Sequence, residues 1–151
     1  MANSQAMCTS FKKEILEGVH ALGTTVARAG TSADTFKAAL FEASASLGAG
    51  TTAYSVSGEV SGAGYTAGGI TVTNANAPAT GGTTAYWTPS ASLTYSNVTL
   101  TTAFDAVLIY NSTQADKAVA VYTFGAQTIT SGTFILSMPV NDETTGLLRI
   151  A

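Results

Sequence analysis

The second half of the chain consists of short segments of β-branched and aromatic residues that follow one another with only turn residues between them. Residue pairs such as Gly81-Gly82 and Ser131-Gly132 separate these segments, and such pairs are typical of tight turns. Successive strands without intervening helices favour an antiparallel β-sandwich or barrel. The predicted strands are residues 70–73, 83–87, 98–100, 106–110, 118–124, 133–138 and 147–150.

The composition agrees with a mainly β fold. The 151 residues include 25 Thr, 14 Ser and 15 Gly, and this mixture favours strands joined by turns over long helices. The run 106–110 is continuously apolar, as in a strand that is buried on both faces, whereas Phe134, Leu136 and Met138 alternate with smaller or polar residues. We therefore expect the first run in the core and the second at its margin.

One segment near the N-terminus has a helical period. Apolar residues recur at intervals of three or four over residues 4–22, which predicts one N-terminal amphipathic α-helix. Ser4 is the expected N-cap and Gly23 the expected stop. The apolar stripe consists of Met7, Phe11, Ile15, Val19 and Leu22.

The remaining N-terminal residues divide into three segments. Residues 23–34 are small and polar, and they are predicted to form a connector. Residues 35–43 fit a short helix or a strand, and their aromatic residues favour the strand. Residues 48–69 contain seven glycines, which predicts a long ordered loop or a series of tight turns. We expect a single domain over residues 1–151, with the β domain at 35–151.

Charged side chains are scarce, and this restricts the classes of partner. Six Lys and Arg and nine Asp and Glu give a formal net charge of -3. The cations are scattered, whereas a nucleic-acid site needs several together to neutralise phosphates, so no nucleic-acid partner is expected. Because so few charges are present to keep copies of the chain apart, assembly is expected. The chain has neither a signal-peptide pattern nor an apolar run near ~20 residues, which predicts a protein made in a cytoplasm without a membrane span.

Few side chains could support catalysis. His20 is the only histidine and Cys8 the only cysteine. We interpret His20 as a helix-end residue near the negative end of the helix dipole and Cys8 as a small packed residue. The glycines at 62–68 lack the spacing of a dinucleotide-binding loop and predict turns, and the acidic pair at 142–143 predicts a solvated turn. We therefore expect no enzyme activity, cofactor or metal site.

Four aromatic residues lie in or beside the glycine-rich turns. Tyr54, Tyr65, Tyr86 and Trp87 would anchor a partner if exposed, and otherwise they would pack in the core or at its margin. A carbohydrate is one ligand that their rings could stack against. The candidate partner interface consists of Met7, Phe11, Ile15, Val19, Tyr54, Tyr65 and Trp87.

Four stretches with a distinctive pattern cover most of the chain. They are NSQAMCTSFKKEILEGVHAL, TFKAALFEASASLGAGTTAYS, GEVSGAGYTAGG and AVLIYNSTQADKAVAVYTFG. Their pattern resembles that of a family of small virion structural proteins of tailed bacteriophages. Such proteins are often capsid decoration, or cement, proteins that bind the outer head shell.

The resemblance implies a non-catalytic protein of the virion, located on the head surface and made in the cytoplasm of the bacterial host. The implied partners are the major capsid protein and copies of the chain itself, in a homo-oligomer. Two alternatives stay open at this point. One is a structural component of the tail, collar or fibre base, and the other is a carbohydrate-binding module for the host surface.

Overall fold

The computed structural model describes residues 2–16, 18–23 and 32–151. Within these residues the fold is mainly β, with antiparallel strand pairs and one short N-terminal helix, which confirms the predicted fold class. The elements are β1 (Ala6–Met7), α1 (Thr9–Leu16), β2 (Phe36–Glu42), β3 (Ile70–Thr71), β4 (Ala79–Gly81), β5 (Thr84–Trp87), β6 (Leu93–Asn111), β7 (Lys117–Leu136) and β8 (Leu148–Ile150).

The strands form two sheets. The larger has the order β1-β7-β6-β2-β3 and the smaller has the order β4-β5-β8. The β6–β7 hairpin is the centre of the larger sheet, and its ladder runs from the pair Leu93 and Leu136 to the pair Asn111 and Lys117. The predicted strand at 35–43 is confirmed as β2, which pairs with β6 along its whole length.

Strands β6 and β7 are much longer than the sequence predicted. Residues 98–100 and 106–110 both belong to β6, and residues 118–124 and 133–138 fall largely within β7, so the prediction of four separate strands is wrong. Asn97 and Ser131 have φ angles of 54° and 47°, and the register shifts several times between Tyr95 and Phe104. Asn97 and the Ser131-Gly132 turn signal therefore mark bulges that bend the strands without ending them, whereas Gly81-Gly82 lies at the turn between β4 and β5.

The bends fold the hairpin back over itself. Phe124 and Phe134 are ten residues apart in β7, which corresponds to about 33 Å in a straight strand, yet their ring centroids are 5.3 Å apart. The Tyr95 hydroxyl likewise reaches across to donate to the Ala38 carbonyl oxygen at 2.9 Å. We call residues 93–100 and 129–136 the outer layer, and the rest of the hairpin with β1, β2 and β3 the inner layer.

The hydrophobic core lies between these layers. All five residues of the run 106–110 are buried, and Phe134, Leu136 and Met138 are partly buried against the core, so the expected core and margin are both confirmed. The largest fully buried side chains include Trp87, Phe11, Phe36, Phe41, Phe104, Leu40, Leu100, Leu108 and Ile109.

The helix begins later than predicted. Residues 4–22 were expected to be helical, but α1 covers Thr9–Leu16 and is preceded by β1, which pairs with β7. The N–H of Ser4, the expected N-cap, donates to the Leu47 carbonyl oxygen at 2.8 Å. Backbone hydrogen bonds to the β domain thus replace the first predicted helical turn.

Gly18 rather than Gly23 ends the helix. Gly18 has a φ angle of 68°, in the left-handed region that favours glycine. Its N–H donates to the Ile15 carbonyl oxygen at 3.0 Å, and the Val19 N–H donates to the Glu14 carbonyl oxygen at 2.9 Å. These two bonds are a Schellman cap, so the predicted helix through residue 22 is wrong.

The glycine-rich segment 48–69 contains turns and isolated bridges but no helix or named strand, as predicted. It runs beside the outer layer, where Ala63 bridges to Thr99 and accepts the Thr99 N–H at 2.8 Å. A Cβ on Gly62 would lie 3.1 Å from the Thr99 carbonyl carbon and closer still to its oxygen. Glycine is therefore required for this close approach. Most of the predicted connector, residues 24–31, lies outside the described residues.

Candidate functional site

The stripe of the predicted helix faces the protein's own β domain. Phe11 is fully buried, and Met7, Ile15 and Leu22 are partly buried against the core, while Val19 is half-buried. α1 packs against β7. The expectation that Phe11 contacts a partner is therefore corrected, because its ring is enclosed within the chain.

Trp87 is also part of the core. Its side chain is 1% exposed, its indole N–H donates to the Asn76 carbonyl oxygen at 2.9 Å, and its ring centroid lies 6.0 Å from that of Phe36. Neither a protein partner nor a carbohydrate can stack on a ring buried in this way. The proposed role of Trp87 in an interface or as a sugar platform is therefore wrong, and neighbouring Tyr86 is half-buried.

Tyr54 and Tyr65 converge on one buried carboxylate, Glu59, which the sequence analysis did not single out. The Tyr54 hydroxyl donates to Glu59 Oε2 at 2.5 Å, and the Tyr65 hydroxyl donates to Oε1 at 2.7 Å. The Gly68 N–H also donates to Oε1, at 2.8 Å. We call these residues, with Tyr110, the tyrosine cluster, because Tyr110 stacks on Tyr54 at 4.6 Å and donates its hydroxyl to the Gly68 carbonyl oxygen.

The environment of the tyrosine cluster keeps its phenols protonated. Burial, followed by the hydrogen bond to Glu59 and its negative charge, raises the pKa of Tyr54 and of Tyr65 well above the ordinary value. Burial and the charges of Asp116 and Glu59 raise the pKa of Tyr110 to about 12. Tyr54 and Tyr65 therefore act as hydroxyl donors to Glu59, and Tyr110 acts as a donor to the Gly68 carbonyl oxygen. A usable signal was present, since Glu59 is the only Asp, Glu, Lys, Arg or His in residues 43–104.

A second polar cluster joins the N-terminal segment to the hairpin. Glu14 Oε1 accepts from Lys117 Nζ at 2.5 Å, and Glu14 Oε2 lies 2.8 Å from His20 Nε2. His20 Nδ1 lies 3.0 Å from Asn111 Nδ2, which also donates to Asp34 Oδ2 at 2.8 Å. We call these five residues the N-terminal polar cluster.

The hydrogen bonds assign the protonation of His20. Asn111 Oδ1 accepts the N–H groups of Thr113 and Gln114, so the Asn111 amide group is oriented to donate from Nδ2. His20 Nδ1 must then accept, and its Nε2–H donates to Glu14, which makes the ring neutral. His20 lies beyond the helix with a fully buried side chain. The interpretation as a helix-end residue is therefore corrected to a buried bridging residue.

We expect Glu14→Gln to lower the free energy of unfolding by about 1–3 kcal/mol at neutral pH, since it removes a charged hydrogen-bond acceptor. Burial opposes the charge of Glu14, but the hydrogen bonds from Lys117 and His20 and the charge of Lys117 hold its pKa below the ordinary 4.5. A lowered folded-state pKa stabilises the protein above pH 4.5, and that stability is lost as the pH falls through the folded value. Denaturant unfolding measured from pH 7 to 3 should therefore show the difference between wild type and variant shrinking below pH 4.5.

Asp116→Asn is the matched control for this charge change. Asp116 is exposed at the hairpin turn and has a φ angle of 57°, which Asn tolerates. The control should retain the pH profile of the wild type. An unchanged profile in Glu14→Gln would contradict the assigned role of Glu14.

Cys8 and Asp142 lie in the environments that the sequence predicted for them. Cys8 is fully buried, and burial followed by the charge of Glu14 raises the pKa of its thiol to about 11, so it is a packed residue. Asp142 Oδ1 accepts hydrogen bonds from Thr144 and Thr145, which lower its pKa to about 2 in an exposed turn.

In residues 2–16, 18–23 and 32–151 no three His, Cys, Asp or Glu side chains are placed to hold a metal ion. No helix among these residues has the length and apolar character needed to cross a membrane.

One surface feature of the described residues is the side of β7 that faces away from β6, in and next to the outer layer. We call residues 128–136 the outer β7 edge. In the described part of the chain, β6 is the strand that pairs with this segment, whereas β1 covers β7 only around Val121 and Ala120. Thr128, Thr130 and Ile135 are exposed along it. The sequence contains no Asp, Glu, Lys, Arg or His from residue 118 to 141.

Comparisons with known proteins do not place the chain in a family. No family model matches it, and neither a curated protein nor a solved structure does. The features that bear on its function are therefore its own two polar clusters, its weakly charged surface and its outer β7 edge.

Proposed function

We propose that this chain is a structural protein of a tailed-bacteriophage virion and that it decorates the outer shell of the head by binding the major capsid protein. The observation that carries the proposal is the combination of a buried β core with a weakly charged surface and a long uncharged strand edge. The resemblance of the four sequence stretches to phage virion proteins supports the location of the chain in a virion. The proposal assigns no catalytic step to the chain.

The described polar residues fit a structural role. Glu59 is engaged by three donors within the chain, and Glu14 is engaged by Lys117 and His20. Glu14 thus joins α1 to β7 across 103 residues of sequence, whereas Glu59 holds together residues 54–68 of the glycine-rich segment. Such clusters favour one defined arrangement of the loops when every member is satisfied, which suits a module that must present a fixed surface.

The surface is suited to contacts that do not depend on charge. With 15 charged residues in 151, most of it offers hydroxyl, methyl and backbone groups. Strand edges add backbone donors and acceptors that can pair with another chain. A shell protein that binds in many copies can use such contacts at high ionic strength, because they are screened less than ion pairs.

The N-terminal helix is one element by which a tail, collar or fibre-base component would attach to the particle. α1 instead packs on β7, with Phe11 fully buried. The apolar stripe of the helix is therefore already covered within the chain, and this favours the head.

Quantitative mass spectrometry of purified particles tests the proposal. We expect hundreds of copies per particle, all in the head fraction after heads and tails are separated. Isolated shells stripped of the chain should bind added recombinant chain to saturation. A few to dozens of copies confined to the tail fraction would overturn the head location, and absence from purified particles would overturn the virion role.

A further inference from the structure

We infer that Lys117 and Asn111 form an intramolecular isopeptide bond in the N-terminal polar cluster, with the loss of ammonia. The two residues are partners at the turn end of the β6–β7 ladder, so the bond joins the two central strands covalently beside their turn. It forms once within each chain. The inference therefore goes beyond the proposed function and does not depend on it.

The amine and the carboxamide stand on adjacent strands and on one face of the sheet. Residues directly opposite each other in an antiparallel pair have Cβ atoms about 4.5–5.5 Å apart. Lys117 carries its amine on a long flexible stem, which can bring Nζ to the Asn111 Cγ by rotation of its own bonds. The two side chains also share neighbours: Lys117 contacts Glu14 and Asn111 contacts His20. Glu14 and His20 are themselves hydrogen-bonded.

The Asn111 carbonyl is held in the way that favours attack by a nucleophile. Its Oδ1 accepts the N–H groups of Thr113 at 3.1 Å and Gln114 at 3.2 Å. Two backbone donors on one carbonyl oxygen stabilise the negative charge that develops there as the nucleophile adds. Asn111 is also fully buried, which keeps water, the competing nucleophile, away from Cγ.

Glu14 is placed to act as the base. The amine of Lys117 must lose a proton before its lone pair can attack, and Glu14 Oε1 contacts Nζ at 2.5 Å. A carboxylate within hydrogen-bond distance can remove that proton. The leaving nitrogen, Asn111 Nδ2, is held by Asp34 Oδ2 at 2.8 Å and by His20 Nδ1 at 3.0 Å. Because each chain reacts only once, a slow reaction is sufficient.

The bonding changes balance without an oxidant or a second reactant. Glu14 takes one proton from the Lys117 ammonium group, and the lone pair that is freed forms the Nζ–Cγ bond while the C=O π electrons move to Oδ1. Glu14 then passes its proton to Nδ2 and takes a second proton from Nζ. The C=O bond forms again, and the Cγ–Nδ2 bond breaks with its electron pair on Nδ2. Ammonia leaves and takes the proton from Glu14, so the products are a secondary amide and an ammonium ion.

The mass of the purified chain tests the inference. After incubation at neutral pH, we expect the wild-type chain to be lighter than its sequence mass by one ammonia molecule. A protease that cleaves before aspartate separates residues 105–115 from residues 116–141, and the isopeptide bond should keep these two fragments joined. Trypsin should fail to cleave after Lys117. Loss of ammonia elsewhere in the chain lowers the mass equally but leaves the two fragments separate.

Three variants complete the test, and thermal unfolding shows that each is folded. Lys117→Arg retains a cation opposite Glu14 but has no amine that can form the amide, so it should keep its full mass. The pH profile predicted above for Glu14 can be measured in this unlinked background. Glu14→Gln should link at least about 100-fold more slowly, because it lacks the base. Lys37→Arg, at a half-buried lysine of β2, should link as the wild type does.

A folded wild-type chain with its full sequence mass and separate fragments would overturn the inference. That result is expected if Asn111 only caps the turn, since a capping asparagine makes the same two bonds to Thr113 and Gln114. Equal loss of ammonia in Lys117→Arg would also overturn it. Linkage of Glu14→Gln at the wild-type rate would contradict the assigned role of Glu14 as the base.

Discussion

Gly69→Ala is expected to lower the free energy of unfolding by about 4 kcal/mol or more, at the upper end for a point mutation, because the added methyl group overlaps backbone atoms that must move. A Cβ at this position would lie 2.5 Å from the Ala38 carbonyl carbon, 2.7 Å from the Ala39 Cα and closer still to the Ala38 oxygen. Gly69 also has a φ angle of 68°, which adds strain for any other residue. The atoms it would meet are backbone of β2, so no side-chain rotation can relieve the overlap.

Thermal and denaturant unfolding measure this effect, with Gly50→Ala as the control. A Cβ on Gly50 would meet no atom within 4 Å, and the residue has no positive φ, so alanine there should be neutral or slightly stabilising. The Gly69 variant should melt about 8–16 °C lower, if it folds at all. Equal stability of the two variants would show that the glycine-rich segment does not pack on β2 as described.

The sequence predicted the fold class because the alternation of apolar residues and turn pairs is a local property. It correctly identified β2 and the buried run 106–110. It could not show that β6 and β7 continue through Asn97 and Ser131, because a residue with positive φ has the same local signature in a bulge as in a hairpin turn. Only the long-range ladder distinguishes the two.

The helix was overestimated for a related reason. The stripe from Met7 to Leu22 has a helical period, but Met7 belongs to β1 and Gly18 provides the cap. The side chains of such a stripe can all pack against the same core even where the backbone between them is not helical. Backbone hydrogen bonds to β7 make residues 6–7 a strand and not a helical turn. The period of the apolar residues contains no information about such bonds.

The candidate site was predicted least well, since burial of an aromatic residue depends on which elements pack above it. Trp87 and Tyr65 both follow glycine-rich stretches, but Trp87 lies in the core whereas Tyr65 engages Glu59. An isolated glutamate surrounded by glycine, serine and tyrosine is the pattern that would have pointed to the tyrosine cluster. Its partners could not be assigned without the fold, because Tyr110 is 51 residues away in sequence.

Glu59 joins the glycine-rich segment to both layers of the protein. The Tyr65 hydroxyl that donates to it also accepts the Leu40 N–H at 3.0 Å, and the Tyr65 ring lies 6.1 Å from that of Tyr95. The residue is 7% exposed. Because two phenols and one backbone N–H share this carboxylate, removing it affects several buried donors together.

Glu59→Ala is therefore expected to cost about 3–5 kcal/mol in the free energy of unfolding, since each buried donor left without an acceptor costs about 1–3 kcal/mol. Glu59→Gln retains one carbonyl oxygen and should cost about half as much.

Glu143→Ala, at an exposed glutamate, should change stability by less than about 0.5 kcal/mol. Denaturant unfolding gives these values, and amide exchange of Gly68, whose N–H donates to Glu59, should accelerate in the alanine variant. Unchanged Gly68 protection together with a small loss of stability would show that the carboxylate does not organise the cluster.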